Sequence, residues 1–179
     1  MNALERQQRG LLALIKDRGD VPDDPYLQRV ARSRELAMMR GIALWWRALA
    51  VQMQCPLTTR LLKRLGCFDA LVAAYFDRNA TSPFVEEVSA GFLASLHGHG
   101  DLLIRAVSRF EHAVLAVKGG SAASYEIVWD RHPDGVAQAL ETGAELPAPE
   151  PNTLYHMHVA RDLPGMIACV RETEEANSE

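Results

Sequence analysis

The clearest hydrophobic pattern along the chain lies between Asp101 and Lys118. Apolar residues recur there at alternating steps of four and three, which places them on one face of an α-helix. Asp101 is a favoured residue for the cap that precedes a helix. The sequence therefore predicts a helix here, with helical patterns before it and short strands, turns and small helices after it. The residues of the apolar face are Leu103, Val107, Phe110, Val114 and Val117.

A second long helical pattern runs from Tyr26 to about Gln54, and no proline interrupts it. Beyond Arg34 its apolar residues occupy two faces, and a helix that is apolar on two sides is normally covered on two sides. The pattern predicts the central helix of an α-helical bundle, with its large side chains in the core. One face carries Met38, Ile42, Trp45 and Leu49, and the other carries Leu36, Met39, Ala43, Trp46, Ala50 and Met53.

Shorter elements complete the predicted fold, which is mainly α. A helical bundle is expected over residues 1–118, followed by a small α/β module over residues 119–179 with two short strands and an acidic tail from Glu172. The strands are expected because apolar and polar residues alternate in them. The further helices are predicted at 4–18, 57–65, 69–78, 84–96, 133–141 and 163–171, and the strands at 125–129 and 154–161.

Composition and charge exclude several classes of protein. The chain has 179 residues, enough for one sizeable core, and its net charge of −4 gives no general attraction to nucleic acid or to an anionic membrane. No apolar run reaches the length of a membrane span, and charged residues near the start argue against a secretory signal. Three cysteines without metal-binding spacing are typical of reduced thiols. We therefore expect a cytoplasmic protein.

Two histidines are candidate metal ligands. His156 and His158 lie two residues apart on a predicted strand, so both point to the same face. No third ligand stands at a spacing that would complete a site, and we predict neither a metal nor another cofactor. The sequence also lacks a phosphate-binding glycine loop and the common hydrolase motifs, so no catalytic residue is predicted. A small metal-dependent enzyme remains an alternative.

Two polar clusters are candidate contact surfaces. Arg60, Lys63 and Arg64 form a small basic face that could touch DNA phosphates, and a DNA-binding regulator is our second hypothesis. Arg109 and Glu111 are too close in sequence to face each other, so each must find a partner on a different element. With His112 they are predicted to contact another domain or a partner, although ordinary surface salt bridges would explain them as well.

Between residues 34 and 116, about half of the chain, Pro56 precedes a short helix ending in Leu65-Gly66, an aromatic-containing helix follows, and a turn leads to two further helices. The other residues of this pattern are Tyr75, Ser82, Phe92, Leu96, Phe110 and Glu111. This order resembles the N-terminal domain of the HvfC/BufC family. It departs from the family pattern at Phe110-Glu111-His112, where Leu-Glu-Trp is common.

The resemblance implies a non-catalytic adaptor. Proteins of this family are similar to the small companions of multinuclear non-haem iron oxidases, which modify ribosomally made peptides. The companion helps to present the leader of a small precursor peptide to the enzyme. Family members have also been labelled DNA-binding proteins. An extended peptide could add as a strand to the edge of the predicted sheet. The candidate edge is Tyr155, His156, Met157, His158 and Val159.

Overall fold

A computed structural model describes residues 2–16, 23–79, 82 and 84–173 of the chain. Within these residues the protein is mainly helical and has a small three-stranded antiparallel sheet near its C-terminus, which confirms the predicted fold class. The elements are α1 (Ala3–Ile15), α2 (Pro25–Ala31), α3 (Arg34–Gln54), α4 (Pro56–Arg64), α5 (Phe68–Arg78), α6 (Val85–Ser95), α7 (Leu102–Lys118), β1 (Tyr125–Trp129), α8 (Pro133–Thr142), β2 (Thr153–Val159), a 3-10 turn (Pro164–Met166) and β3 (Ile167–Thr173).

The predicted continuous helix from Tyr26 to Gln54 is wrong, because the chain forms two helices there. Helix α2 begins where the sequence predicts, with the Asp24 carboxylate accepting hydrogen bonds from the backbone N–H groups of Tyr26 and Leu27. It ends at Ala31, and the Ser33 hydroxyl then accepts a 3.1 Å hydrogen bond from Leu36 N at the start of α3. A serine cap inside an apolar pattern thus separates the two helices.

The predicted last helix at 163–171 is also wrong. Its first residues form a tight turn in which Gly165 and Met166 have φ angles of 65° and 67°. The chain then enters β3, a strand that pairs antiparallel with β2 over its whole length. The sheet therefore has three strands instead of two, and Glu172 of the predicted acidic tail belongs to the last of them. Residues 174–179 of that tail lie outside the described residues.

The chain divides into two compact units, Met1–Leu49 and Ala50–Glu179. In the first unit Leu14, Leu27 and Leu36 form a small core, and the Arg40 side chain donates to the carbonyl oxygen of Leu14. The predicted domain boundary at residue 118/119 falls inside the second unit. There α7 is joined to β1 by residues 119–124, and α7 also packs on β1.

Helix α7 is the centre of the second unit. It packs against α4 and α6 on one side and against β1 and β2 on the other. Of its predicted apolar face, Leu103, Val107 and Val117 are buried, and Val107 is 1% exposed. Phe110 and Val114 are half-buried. Asp101 caps the helix through hydrogen bonds from Leu103 N and Ile104 N. The sheet presents its inner face to this helix with Ile127, Met157 and their neighbours.

Helix α3 has the opposite environment. Trp45 and Trp46 are 57% and 60% exposed, so the prediction that these side chains form the core of a bundle is wrong. Burial on this helix is concentrated at Leu36 and Val51. None of the described helices is both long and apolar enough to cross a membrane.

Candidate peptide-binding surface

The strand predicted to offer a free edge, Tyr155 to Val159, lies in the middle of the sheet. Its residues pair with β1 on one side and with β3 on the other, for example Met157 with both Ile127 and Cys169. Both rows of backbone hydrogen-bonding groups of β2 are therefore occupied, and it cannot accept a further strand. Among the described residues, the unpaired edges of the sheet belong to β1 and β3.

Strand β3 is the more exposed of these two edge strands. Six of its seven residues are exposed and Ala168 is half-buried. Two apolar residues, Ile167 and Val170, are 39% and 57% exposed. An edge strand presents unpaired N–H and C=O groups to which another extended chain can add. In the described part of the chain no strand covers this edge, which makes β3 the best-formed candidate for strand addition.

A groove of about 670 Å³ opens beside the start of β3. Its walls come from the end of α3, from α4 and α7, and from the turn that leads into β3. Ile167 belongs both to the groove and to the exposed strand. Most of the lining is apolar, with Arg60, Glu111, Lys118 and Glu141 as charged groups. The apolar lining is Met53, Pro56, Leu57, Phe110, Val114, Leu115, Met166 and Ile167.

Glu111 lies on the groove side of α7 and caps helix α4. Its two carboxylate oxygens accept hydrogen bonds of 2.7 Å from Leu57 N and 2.8 Å from Thr58 N. These N–H groups are the first that α4 must satisfy, because Pro56 has no N–H and Cys55 offers no side-chain cap. Burial raises the pKa of Glu111, and the hydrogen bonds from Thr58 and Leu57 oppose that rise. The residue is therefore an internal cap and not an exposed contact.

The thiol of Cys55, next to this cap, is fully buried. Burial, followed by the nearby negative charge of Glu111, raises the pKa of Cys55 to about 12. Only the thiolate is a strong nucleophile, so this cysteine is protonated and unreactive at neutral pH.

The structure separates the other predicted contact residues from Glu111. Arg109 is exposed and lines a second cleft of about 340 Å³ together with Arg105 and Asp130. His112 is half-buried, and its ring lies 5.0 Å from that of His97, centroid to centroid. Burial lowers the pKa of His112. The three residues therefore lie in three different environments, and Arg109 is the most exposed of them.

The two predicted histidines lie on the outer face of β2, as the alternation requires. His156 Nδ1 is 2.7 Å from Glu126 Oε1 on β1, and His156 Nε2 is 2.8 Å from Glu172 Oε2 on β3. The second contact has the distance of an ion pair without the angle of a hydrogen bond. The hydrogen bond to Glu126 is the main reason that the pKa of His156 is raised.

Sequence patterns did not identify Glu126 and Glu172 as partners of His156, because the pairing of the strands places them there. Across the described residues no group of three His, Cys, Asp or Glu side chains could hold a metal ion.

The predicted basic face is partly committed to contacts within the chain. Lys63 Nζ donates a 2.7 Å hydrogen bond to Gln52 Oε1 and lies 5.4 Å from the centroid of the Phe68 ring. Arg64 donates to the carbonyl oxygen of Ala144. Arg60 instead lines the groove. All three side chains are exposed, and each has a different environment within the chain.

Comparison with protein-family models, with curated proteins and with solved structures finds no match to this chain.

Proposed function

We propose that this protein is a non-catalytic adaptor that binds an extended segment of a small precursor peptide. By its resemblance to the HvfC/BufC family, the enzyme to which it presents the peptide is a multinuclear non-haem iron oxidase. The three cysteines are all free thiols, which supports a reducing, cytoplasmic location.

The observation that carries the proposal is the continuity between the edge of β3 and the groove. Ile167 is the first residue of β3 and also part of the groove wall. A peptide that adds to β3 as a fourth strand would make main-chain hydrogen bonds along the strand. One end of the peptide would then enter the groove, where its side chains can be selected.

The groove indicates which kind of peptide segment would fit. Its walls are largely apolar, and Glu111 is already committed to capping α4. Arg60 and Lys118 are the cationic groups of the lining, opposed by Glu141. We therefore expect a segment with two or three apolar side chains and at least one acidic residue.

A titration of fluorescently labelled precursor peptides, chosen from genes adjacent to this one, tests the proposal. We expect binding at micromolar concentration and at least a tenfold loss of affinity for Ile167→Asp, which places a charge where strand and groove meet. Val128→Asp is the matched control, because Val128 is exposed on β1, away from that junction, and its replacement leaves affinity unchanged. Absence of binding to every such peptide and to the neighbouring oxidase would refute the proposal.

The DNA-binding alternative predicts a different experimental result. If Arg60, Lys63 and Arg64 bound DNA, affinity for a duplex would fall steeply as salt is raised. Because two of these cations are held by groups of the chain itself, we expect no such binding.

A further inference from the structure

Helix α3 exposes a continuous apolar face. At 3.6 residues per turn, six large apolar side chains project within an arc of about 120°. Each is between 48% and 74% exposed. Monomeric proteins rarely leave such a concentrated patch open to water. The six residues are Met38, Met39, Ile42, Trp45, Trp46 and Met53.

The polar side of the same helix shows that this exposure is not a general property of α3. Arg40 and Arg47 project from the opposite side and are both less exposed than the tryptophans. Arg40 is held by the carbonyl oxygen of Leu14. The helix thus shields its cations better than its apolar face, which is the reverse of the usual arrangement on a surface helix.

The size of the apolar face matches what a stable interface requires. At about 150–250 Å² for a large side chain, exposures of 48–74% on six side chains amount to roughly 700 Å². A standard protein interface buries about 800 Å² on each partner. One helix face therefore supplies most of the area that one partner must contribute.

The order of residues along the face is self-complementary. Reading outward from the Trp45–Trp46 pair, Ile42 in one direction corresponds to Leu49 in the other, a half-buried leucine on the same side of the helix. Met38 corresponds to Met53. Two copies of the helix laid antiparallel, with a two-fold axis between the tryptophans, would place residues of similar size opposite each other. A two-fold interface requires such a match, because the same surface serves both partners.

We propose that the apolar face of α3 is covered by the α3 helix of a second copy of this chain, in an antiparallel pair centred on Trp45 and Trp46. The ring pair at the centre, with centroids 4.9 Å apart in an edge-to-face arrangement, forms the main anchor. Tryptophan is a frequent centre of binding energy in interfaces. The proposal does not rest on peptide binding, which involves β3 and the groove, although Met53 belongs both to this face and to the groove lining.

Sedimentation equilibrium of the full chain tests the pairing. We expect a mass of twice 19.8 kDa at micromolar concentration. The variant Trp45→Glu should raise the dissociation constant at least about 100-fold while leaving the circular dichroism spectrum unchanged, because the side chain is exposed. Leu154→Glu, at a 42% exposed leucine on the sheet, is the matched control and should remain a dimer.

Disulfide cross-linking tests the antiparallel arrangement. Met38→Cys and Met53→Cys are made separately in a Cys169→Ser background, which removes the exposed native thiol. Under a mild oxidant, a mixture of the two variants should form a covalent dimer, whereas each variant alone should not. Efficient cross-linking of Met38→Cys with itself would show a parallel pair and overturn the proposed arrangement.

Other occupants of the face give different results. A chain that remains monomeric at 200 µM would overturn the proposal, whether the face is left open or is covered within the same chain. A monomer that binds vesicles of anionic phospholipid through Trp45 and Trp46 would overturn it in favour of a lipid surface. If Trp45→Glu forms dimers with the same dissociation constant as the wild-type chain, dimerisation belongs to another surface and the proposal is overturned.

Discussion

Helices α3 and α7 both carry apolar residues at helical spacing, but these residues have opposite environments. Both are long, with 21 and 17 residues, and both have apolar residues at helical spacing. Val107 on α7 is 1% exposed, whereas Trp46 on α3 is 60% exposed. Helix α7 is enclosed by α4, α6 and two strands, and even its carboxylate Glu111 is buried. The difference shows that periodicity identifies an apolar face without identifying what covers it.

The largest expected effect comes from placing the same charge on each helix. Val107→Asp should destabilise the fold by about 4 kcal/mol or more, because a buried carboxylate would have no partner. Ile42→Asp, measured in dilute protein where copies are separate, should change the free energy of unfolding by no more than about 0.5 kcal/mol. Urea denaturation measures both. Equal losses in the free energy of unfolding of the two variants would show that the two helix faces do not differ in burial.

Removal of the internal cap on α4 should lower the free energy of unfolding by an intermediate amount. Glu111→Ala leaves the N–H groups of Leu57 and Thr58 without an acceptor, and we expect a loss of about 2–3 kcal/mol. The matched control is Glu86→Ala, since Glu86 is an exposed carboxylate on α6. If chemical denaturation gives the same stability for both variants, Glu111 does not hold α4 in place.

The same carboxyl group should produce a pH dependence. Because burial raises the pKa of Glu111 in the folded state, the folded protein holds this proton more tightly than the unfolded chain does. Its contribution to stability is therefore largest at low pH and declines as pH rises from the ordinary glutamate pKa through the raised one. Glu111→Gln should remove this decline, which unfolding curves between pH 4 and 7 would show.

A smaller effect is expected on the outer face of the sheet. The pKa of His156 is raised, mainly by Glu126, so the histidine stabilises the fold fully below its ordinary pKa. That stabilisation is lost as pH rises through the raised pKa. The Glu126→Gln variant should lower the pKa of His156, as followed by NMR titration of the ring protons. An unchanged pKa would contradict the ion pair.

The sequence allowed much of the fold to be predicted because local signals decide helix ends. Asp101 caps its helix as expected and Asp24 caps α2 in the same way, and Gly66 and Gly143 follow helices with φ angles of 70° and 76°. Ser33 gave a weaker signal, since a serine inside an apolar pattern need not interrupt a helix. The break between α2 and α3 was therefore missed.

The candidate site was less predictable because it depends on strand β3. Ile167, Ala168, Cys169 and Val170 are consecutive apolar residues without alternation, and they follow a proline and a glycine that also suit a short helix. The β-branched residues Ile167 and Val170 were the available signal for a strand. Since β3 was missed, β2 was assigned to the edge that β3 occupies. The groove is formed by segments that are far apart in the sequence, so no local sequence pattern could predict it.

Tryptophan fluorescence tests the contrast between α3 and α7 most directly. The chain has three tryptophans, and Trp129, which packs on Phe110 of α7, is 3% exposed. In a Trp129→Phe variant only Trp45 and Trp46 of α3 contribute to the emission. We predict a long-wavelength, readily quenched emission in dilute protein that shifts to shorter wavelength as the concentration rises and the two α3 helices pair. Emission at short wavelength at every concentration would show a face covered within one chain, and long-wavelength emission at every concentration would show that a second copy does not cover it.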